Sequence, residues 1–297
     1  MNGILNVYKE KGFTSHDVVA KLRGICRQRK IGHTGTLDPE AEGVLPVCFG
    51  RATKVCDLLT DKDKAYEAVL LLGRVTDTQD VHGQTLEEHE VLVSEAQVRE
   101  AIMRFVGDIM QVPPMYSALK VNGQKLYQLA RAGKEVERQA RPITINDIEI
   151  VKIELPRVTM RVSCSKGTYI RTLCHDIGAA LGCGGCMEEL LRIRVDRFEL
   201  SESLRLSEVA DLMAKGELEA RLIAVDSLFT KWPARICTER FEKMLYNGNA
   251  LPGEAFVEAE RPEMIRVYDR TGCFIGVFAW DARKHQYKPE KMFYPYE

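Results

Sequence analysis

The sequence predicts a mixed helix-and-strand domain, α/β or α+β, followed by a smaller β-rich domain. Two patterns predict the first domain. Apolar residues recur at helical spacing in 14–26 and again in 172–181. Residues 66–72 and 158–164 instead alternate or run apolar with β-branched content, as strands do. Helices interleaved with strands indicate layers of both kinds around one core.

The first helix has a clear start, because Thr14 is followed three residues later by Asp17 in a capping-box pattern. Its apolar stripe consists of Val18, Val19, Leu22, Ile25 and Cys26. In the strand 158–164, one face is expected to carry Val158, Met160, Val162 and Cys164. Gly182 is placed to end the helix predicted over 172–181.

The composition changes after about residue 230. A short helix is predicted over 239–245, ended by Asn247-Gly248, and the following strand patterns are separated by Pro- and Gly-containing turns. Short strands with such turns are typical of a small β-barrel. We therefore expect two domains, residues 1–230 and residues 231–297.

Length and composition exclude several classes of protein. A chain of 297 residues favours one large domain plus a small one. It has no apolar run long enough to span a bilayer and no signal-peptide core, so we expect a cytoplasmic protein without membrane contact. Nine cysteines without a secretory signal indicate reduced thiols, and Cys183 and Cys186 lack the further ligands of a zinc site.

The net charge of −1 is small, but the charges are unevenly distributed. One acid-free basic cluster comprises Lys21, Arg23, Arg27, Arg29 and Lys30. A second comprises Arg192, Arg194 and Arg197. Each cluster taken alone is compatible with a solvated face. Together, beside the candidate catalytic segments, they favour a surface that binds nucleic-acid phosphates.

Residues 32–54, GHTGTLDPEAEGVLPVCFGRATK, place one carboxylate in a loop just before an apolar run. Pro39 pushes Asp38 toward an extended backbone, and the surrounding glycines give the chain freedom on either side. An acid held this way on a rigid base is a candidate catalyst. The alternative is that Asp38 caps a turn, because Asp before Pro is common turn chemistry.

This loop and four further blocks resemble the TruB family, the tRNA pseudouridine-55 synthases. The resembling blocks, in the family's order, are 9–15, 32–54, 64–80, 111–133 and 164–173. Two departures are Glu10, where the family usually has Pro, and Ile193 in the stretch Leu190-Leu191-Arg192-Ile193-Arg194-Val195, where it usually has a second Arg. The resemblance implies an α+β pseudouridine synthase fold, with a mixed, largely antiparallel central sheet flanked by helices. The tail, including 246–253, resembles the family's C-terminal PUA-like RNA-binding barrel.

The resemblance also implies roles for individual residues. Asp38 corresponds to the catalytic nucleophile, Tyr66 to the active-site tyrosine and Arg171 to the active-site arginine. We expect Arg171 to be the fixed cation that binds the Asp38 carboxylate and holds its charge. His33 corresponds to the residue that fills the space left by the extruded base. The expected substrate-binding set is Lys9, Gly32, His33, Thr36, Lys120, Tyr169 and Leu191.

The reaction that the resemblance implies is isomerisation of uridine to pseudouridine in the T-loop of tRNA. It needs no cofactor and no metal, and no cofactor-binding motif is visible. We expect tRNA, through its T-arm, as the partner of a monomer with no protein partner. Two alternatives belong to other classes: a non-catalytic RNA-binding or tRNA-folding protein on the same fold, and a cysteine-dependent uracil methyltransferase. The second would need an S-adenosylmethionine site, for which no glycine-rich strand-turn is visible.

Overall fold

The computed structural model describes residues 1–121 and 123–294. Its helices are α1 (Ser15–Ile25), α2 (Cys56–Thr60), α3 (Glu95–Met103), α4 (Leu126–Arg131), α5 (Ile170–Ala180), α6 (Leu206–Lys215) and α7 (Glu242–Tyr246). Its strands are β1 (Gly3–Lys9), β2 (Ile31–His33), β3 (Glu42–Phe49), β4 (Lys64–Leu72), β5 (Arg74–Thr76), β6 (Thr85–Glu88), β7 (Gly107–Gln111), β8 (Lys120–Val121), β9 (Gln124–Lys125), β10 (Arg141–Glu154), β11 (Arg157–Cys164), β12 (Gly185–Val195), β13 (Phe198–Glu199), β14 (Ala234–Ile236), β15 (Leu251–Pro252), β16 (Met264–Tyr268), β17 (Phe274–Asp281) and β18 (Gln286–Met292).

A nine-stranded sheet forms the centre of the molecule. Seven strands follow the order β1-β3-β12-β4-β11-β10-β7, with β2 added on β3 and β13 on β12. All pairs are antiparallel except β12 with β3, which is parallel. The mixed, largely antiparallel sheet expected from the sequence is therefore confirmed. The single parallel pair joins the strand that follows the Asp38 segment to the strand that lies beside Tyr66.

The helices predicted from the sequence pack on this sheet. Thr14 caps α1 with the expected capping box, and the helix buries Val18 and Leu22 against β1 and β3. The predicted strand at 158–164 is β11, whose alternating burial confirms the expected inward face. Helix α5 begins at Ile170, two residues before the predicted start, and Gly182 follows it at φ 76°. Within residues 1–121 and 123–294, no helix is long and apolar enough to cross a membrane.

The C-terminal segment forms a second sheet in the order β14-β16-β17-β18-β15. Its two edge strands, β14 and β15, do not pair with each other in the described part of the chain, so the sheet is a curled half-barrel. Its own core is built around Phe256, Ile265, Phe278 and Tyr287. The division at residue 230 stays a prediction, and 295–297 of the predicted second domain lie outside the described residues.

An aromatic cluster joins the two sheets. The rings of Phe274 and Phe293 stack at 5.3 Å, and both lie about 6 Å from Phe229. This cluster belongs to one buried core with Val44 and Cys48 of β3. Two lysine contacts cross the same junction, because Lys54 Nζ donates to the Met292 carbonyl at 2.6 Å and Lys291 Nζ to the Lys54 carbonyl at 2.7 Å. The second sheet thus packs against the first through a shared core and is not joined to it by the linking chain alone.

Candidate active site

The Asp38 loop, residues 34–41, joins β2 to β3 and is held from below by neighbouring elements. The Leu37 amide donates to Ser15 Oγ at 3.0 Å, and the Gly12 amide donates to the Pro39 carbonyl at 2.9 Å. These bonds fix the loop to the start of α1 and to the turn after β1. The Asp38 side chain projects from this base and is 43% exposed, so its carboxylate is open to a ligand.

Arg171, in the first turn of α5, lies between two carboxylates. Its Nε is 3.1 Å from Asp38 Oδ2, and its Nη1 is 3.5 Å from Asp80 Oδ2. The other donors bind backbone carbonyls, Nη1 that of Thr78 at 3.2 Å and Nη2 that of Tyr116 at 2.8 Å. The Arg171 side chain is only 7% exposed. Four contacts therefore fix the guanidinium, which in turn orients the Asp38 carboxylate.

The contact that the sequence predicted between Arg171 and Asp38 is present. No backbone amide in residues 1–121 or 123–294 donates to the Asp38 carboxylate. A side chain that capped a turn would accept such an amide. The geometry thus favours the catalytic interpretation of Asp38 over the turn-cap alternative.

Lys9 lies beneath the Asp38 loop rather than on its outer face. Its side chain is fully buried, and Nζ donates to the carbonyls of Glu10, Pro39 and Ala41. Burial lowers the pKa of Lys9 to about 8, while the nearby carboxylates of Asp38 and Glu42 act in the opposite direction. Lys9 therefore supports the loop that carries Asp38, and its expected contact with substrate stays a prediction.

Tyr66 lies on β4 with only 8% of its surface exposed. Burial raises the pKa of its hydroxyl to about 12, and the charge of Arg192 opposes that rise. Its ring belongs to the same buried cluster as Leu37 of the Asp38 loop and Ile170 of α5. The structure thus places Tyr66 beneath the cleft at which Asp38 and Arg171 meet.

The second basic cluster is not the exposed surface that the sequence indicated. Arg192 is fully buried, donating from Nε to the Val44 carbonyl at 2.7 Å and from Nη2 to the Gly35 carbonyl at 3.3 Å. The prediction of a phosphate-binding role is therefore wrong for Arg192. Arg194 bonds to the Asp196 carbonyl and Ser163 Oγ, and Arg197 bonds to Ser227.

His33 ends β2 at the entrance to the Asp38 loop. Its ring meets that of His16 edge to face, with centroids 5.3 Å apart. Burial lowers the pKa of His33, and the neighbouring His16 and Arg192 add to that effect. The preceding residue, Gly32, is closely packed, because a Cβ at this position would lie 3.3 Å from Cys56 Sγ. Thr36 is exposed on the loop beyond it.

The remaining predicted substrate-binding residues lie on three other elements. Tyr169 immediately precedes α5. Its backbone N–H donates to Gln111 Oε1 at 2.9 Å, and its carbonyl accepts from Gln111 Nε2 at 3.1 Å. Leu191 lies on β12, in register with Glu42 on one side and Glu67 on the other. Lys120 is exposed on the β8–β9 hairpin, and no contact with the Asp38 loop is seen for it within the described residues.

Sequence reasoning missed three charged residues of the site: Asp80, Lys64 and Arg192. Asp80 was visible only as part of a resembling block, although an acid that shares Arg171 with Asp38 is one of its fixed partners. Lys64 is buried under the loop, and burial lowers its pKa to about 8. Nothing in a single sequence marks a lysine or an arginine as buried, because these residue types are mostly exposed.

The first basic cluster is divided by the structure. Lys21 lies over the Phe13 ring at 4.8 Å, and Arg23 donates to the Ile31 carbonyl at 3.0 Å. The other members line a concavity of about 540 Å³ with no carboxylate among its described lining residues. Its cationic lining consists of Arg27, Arg29, Lys30 and Arg51. Arg27, Arg29 and Lys30 are exposed to solvent, as a phosphate-binding surface requires.

Two family models match this chain in succession. Residues 23–170 match the TruB family pseudouridylate synthase N-terminal domain. Residues 171–230 match the tRNA pseudouridylate synthase B C-terminal domain. The Asp38 loop, Tyr66 and Asp80 all lie within the first match, and Arg171 opens the second.

Curated relatives and solved structures agree with these matches. The chain is 54% identical to the tRNA pseudouridine synthase B of Lachnoclostridium phytofermentans, over 99% of this chain and all of the relative. It is 46% identical to that of Clostridium novyi, over 93% and 95% of the two chains. Among solved structures, a Cbf5-Nop10-Gar1 complex aligns with a TM-score of 0.71 and 28% identity, over 99% of this chain and 85% of that one.

Proposed function

This chain belongs to the TruB family of tRNA pseudouridine synthases, and we propose that Asp38 is the carboxylate with which it isomerises uridine at position 55, in the T-loop of tRNA. The enzyme class follows from family membership. The identity of the catalytic residue and of the target nucleotide is the proposal. The observation that carries it is the exposed Asp38 carboxylate, held by a buried Arg171 that four contacts keep in place.

The isomerisation requires one carboxylate and the transfer of protons. The N1–C1′ bond of uridine breaks, the base turns, and C1′ bonds to C5, while the C5 proton is lost and N1 gains one. A carboxylate can serve as the covalent partner of the substrate during this exchange. The target base lies in a folded RNA arm, so it must first be extruded, at a cost of a few kcal/mol.

The charges of the site suit these steps. Arg171 supplies the positive charge beside Asp38, and its buried guanidinium remains there when bound RNA excludes water. Asp80 shares the same guanidinium and limits its rotation. Tyr66 offers a ring against which a uracil can stack and a hydroxyl for proton transfer. His33, at the rim, is placed to enter the RNA where the base has left.

The decisive experiment compares Asp38→Asn with wild type. Asn keeps the shape and can still accept a hydrogen bond, but it loses the negative charge and most of the nucleophilicity. We expect turnover of a T-arm RNA to fall by several orders of magnitude, while the melting temperature and RNA affinity are kept. The matched control is Glu40→Gln, which removes an exposed loop carboxylate whose ion-pair contacts are as long as 4.0 Å. This control should retain near-normal turnover.

The result also separates the alternative function. A protein that only binds or refolds tRNA would show no pseudouridine in the wild-type assay and no difference between wild type and Asp38→Asn. Near-normal turnover by a folded Asp38→Asn variant would end the proposed mechanism. The target nucleotide is tested separately, by mapping pseudouridine in tRNA from cells with and without the gene.

We further propose that residues 231–297 form a PUA-like RNA-binding unit and that the protein works as a cytoplasmic monomer on the T-arm. The half-barrel supports an accessory role, because Arg283 and Lys284 are exposed at the tip of the β17–β18 hairpin. Deleting the segment would remove Phe274 and Phe293 and expose the residues of the first domain that pack on them, among them Phe229 and Val44, so truncation is a poor test. Arg283→Gln with Lys284→Gln should instead weaken tRNA binding and leave the saturating rate unchanged. Sedimentation equilibrium tests the monomer.

A further inference from the structure

Arg192 is a buried cation with an unusual set of partners. It lies on β12 directly opposite Tyr66 of β4 and opposite Gly43 of β3. A Cβ at Gly43 would lie 2.2 Å from the Arg192 carbonyl, so the two strands approach closely only because Gly43, at φ 106°, has no side chain. The guanidinium is thereby held between the strand of Tyr66 and the strand that follows the Asp38 loop.

The hydrogen-bond partners of Arg192 are uncharged oxygens. It donates to the Val44 and Gly35 carbonyls, and the buried Tyr66 is its direct cross-strand neighbour. No carboxylate lies within 4.0 Å of its nitrogens in the described residues, in contrast to Arg171. Burying a cation without a counterion is costly, and an apolar residue of similar volume would often be at least as stable. A role in the reaction accounts for that cost.

The role follows from the charge that lies beside Tyr66. Arg192 and Tyr66 are directly opposite each other on β12 and β4, and both are buried. Burial lowers the pKa of two nearby groups, Lys64 and His33, and the positive charge of Arg192 adds to that effect. A negative charge that developed on Tyr66 would thus be stabilised by a cation already in place.

We propose that Arg192 is a positioning residue that acts through Tyr66, by stabilising the phenolate that is left when the Tyr66 hydroxyl gives its proton to the base. The proton balance closes within one turnover. Tyr66 gives its proton to N1 after the N1–C1′ bond breaks, and the phenolate takes the C5 proton after C1′ bonds to C5. This inference rests on the proposed function, and it assigns to Arg192 a task that a surface arginine could not perform.

The test is a double-mutant cycle with Arg192→Met, Tyr66→Phe and the combined variant. Single-turnover rates at saturating T-arm RNA and RNA dissociation constants are measured for each. We expect Arg192→Met to lower the rate about 100-fold, within the range that positioned proton transfer contributes, with unchanged affinity. In the Tyr66→Phe background the same change should have no further effect. Arg192→Lys should restore part of the rate, and Arg157→Met, on the surface beside Glu188, is the matched control.

Two outcomes would overturn the inference: an unchanged rate for Arg192→Met, or an equal loss in the Tyr66→Phe background. The second would mean that Arg192 acts only by holding the Gly35 and Val44 carbonyls. If neither Arg192 variant folds, Tyr66→Phe still decides, because the inference needs the Tyr66 hydroxyl. A wild-type single-turnover rate for Tyr66→Phe would overturn the inference. The Asp38→Asn result is independent of all these measurements, so failure here leaves the proposed function standing.

Discussion

The cations that surround the Asp38 loop and those that follow α1 differ in their exposure to solvent. Lys9, Arg171 and Arg192 are buried, and each makes contacts with the chain itself. Arg27 and Lys30 are exposed at the rim of a concavity, where water or RNA can reach them. Lys9, Arg27 and Lys30 all precede the Asp38 loop along the chain, yet of these three only Lys9 is buried. Charge in the sequence therefore does not reveal whether a basic residue binds the substrate or builds the site.

The difference has a physical cause. A buried cation must satisfy its donors within the protein, so it fixes the geometry of carbonyls and carboxylates around it. An exposed cation keeps its hydration until a phosphate replaces it, so it contributes affinity that depends on salt. Neutralising the first kind should change turnover or stability, whereas neutralising the second should change the salt dependence of binding.

The largest effect is expected from Arg171→Met. The change removes the fixed charge beside Asp38 and leaves two carboxylates, Asp38 and Asp80, facing each other without a cation. We expect the single-turnover rate to fall at least about 1000-fold, comparable to the loss of a preorganised charge partner in other active sites. Arg161→Met, which removes a surface arginine paired with Glu67, is the control. Equal rates for the two variants would place Arg171 outside the reaction.

A stability change without a turnover change is expected from Phe293→Ala. Phe293 is fully buried and packs against Phe229 and Phe274. Its cluster contains none of the charged residues of the candidate active site. The cavity should cost about 3–5 kcal/mol of unfolding free energy. Denaturant unfolding measures the cost, and single-turnover assays below the melting transition should give a wild-type rate. A large loss of rate in the folded variant would show that the junction between the sheets supports catalysis.

The salt dependence of binding tests the exposed group. Neutralising Lys21, Arg27 and Lys30 together should weaken tRNA binding and flatten the plot of log affinity against log salt. Each lost phosphate contact removes about 0.9 from that slope. Binding is measured over a range of salt concentrations, and the control neutralises Arg104, Lys152 and Lys243, three exposed cations on other elements. Identical slopes for the two triple variants would make Lys21, Arg27 and Lys30 part of an ordinary solvated surface.

The smallest effect is a pH dependence of stability that comes from Lys9. Its folded-state pKa of about 8 lies below the ordinary value of 10.5, so between these values the unfolded chain binds more protons than the folded one. The unfolding free energy of wild type relative to Lys9→Met should therefore rise with pH across this window. Chemical denaturation of both proteins from pH 8 upward measures it. A constant difference would mean that Lys9 is protonated equally in both states.

The sequence was sufficient for the elements with strong local signals. The capping box at Thr14, the alternating face of β11 and the glycine after α5 are each determined by residues within a few positions of one another. The contact of Arg171 with Asp38 was expected only through the resemblance, because the two residues lie far apart along the chain. Asp80 was not predicted as their third partner.

The sequence by itself determined the family, the helices and strands, and the identity of the candidate catalytic carboxylate. Only the tertiary structure decided which cations are buried, since the face on which a strand residue lies depends on its pairing with distant strands. Arg192 and Arg194 are adjacent members of one basic run, and the ladder between β12 and β4 shifts register between them. That shift, together with the close approach of β3 at Gly43, puts Arg192 in the core beside Tyr66 and leaves Arg194 half-exposed, bonded to its own turn.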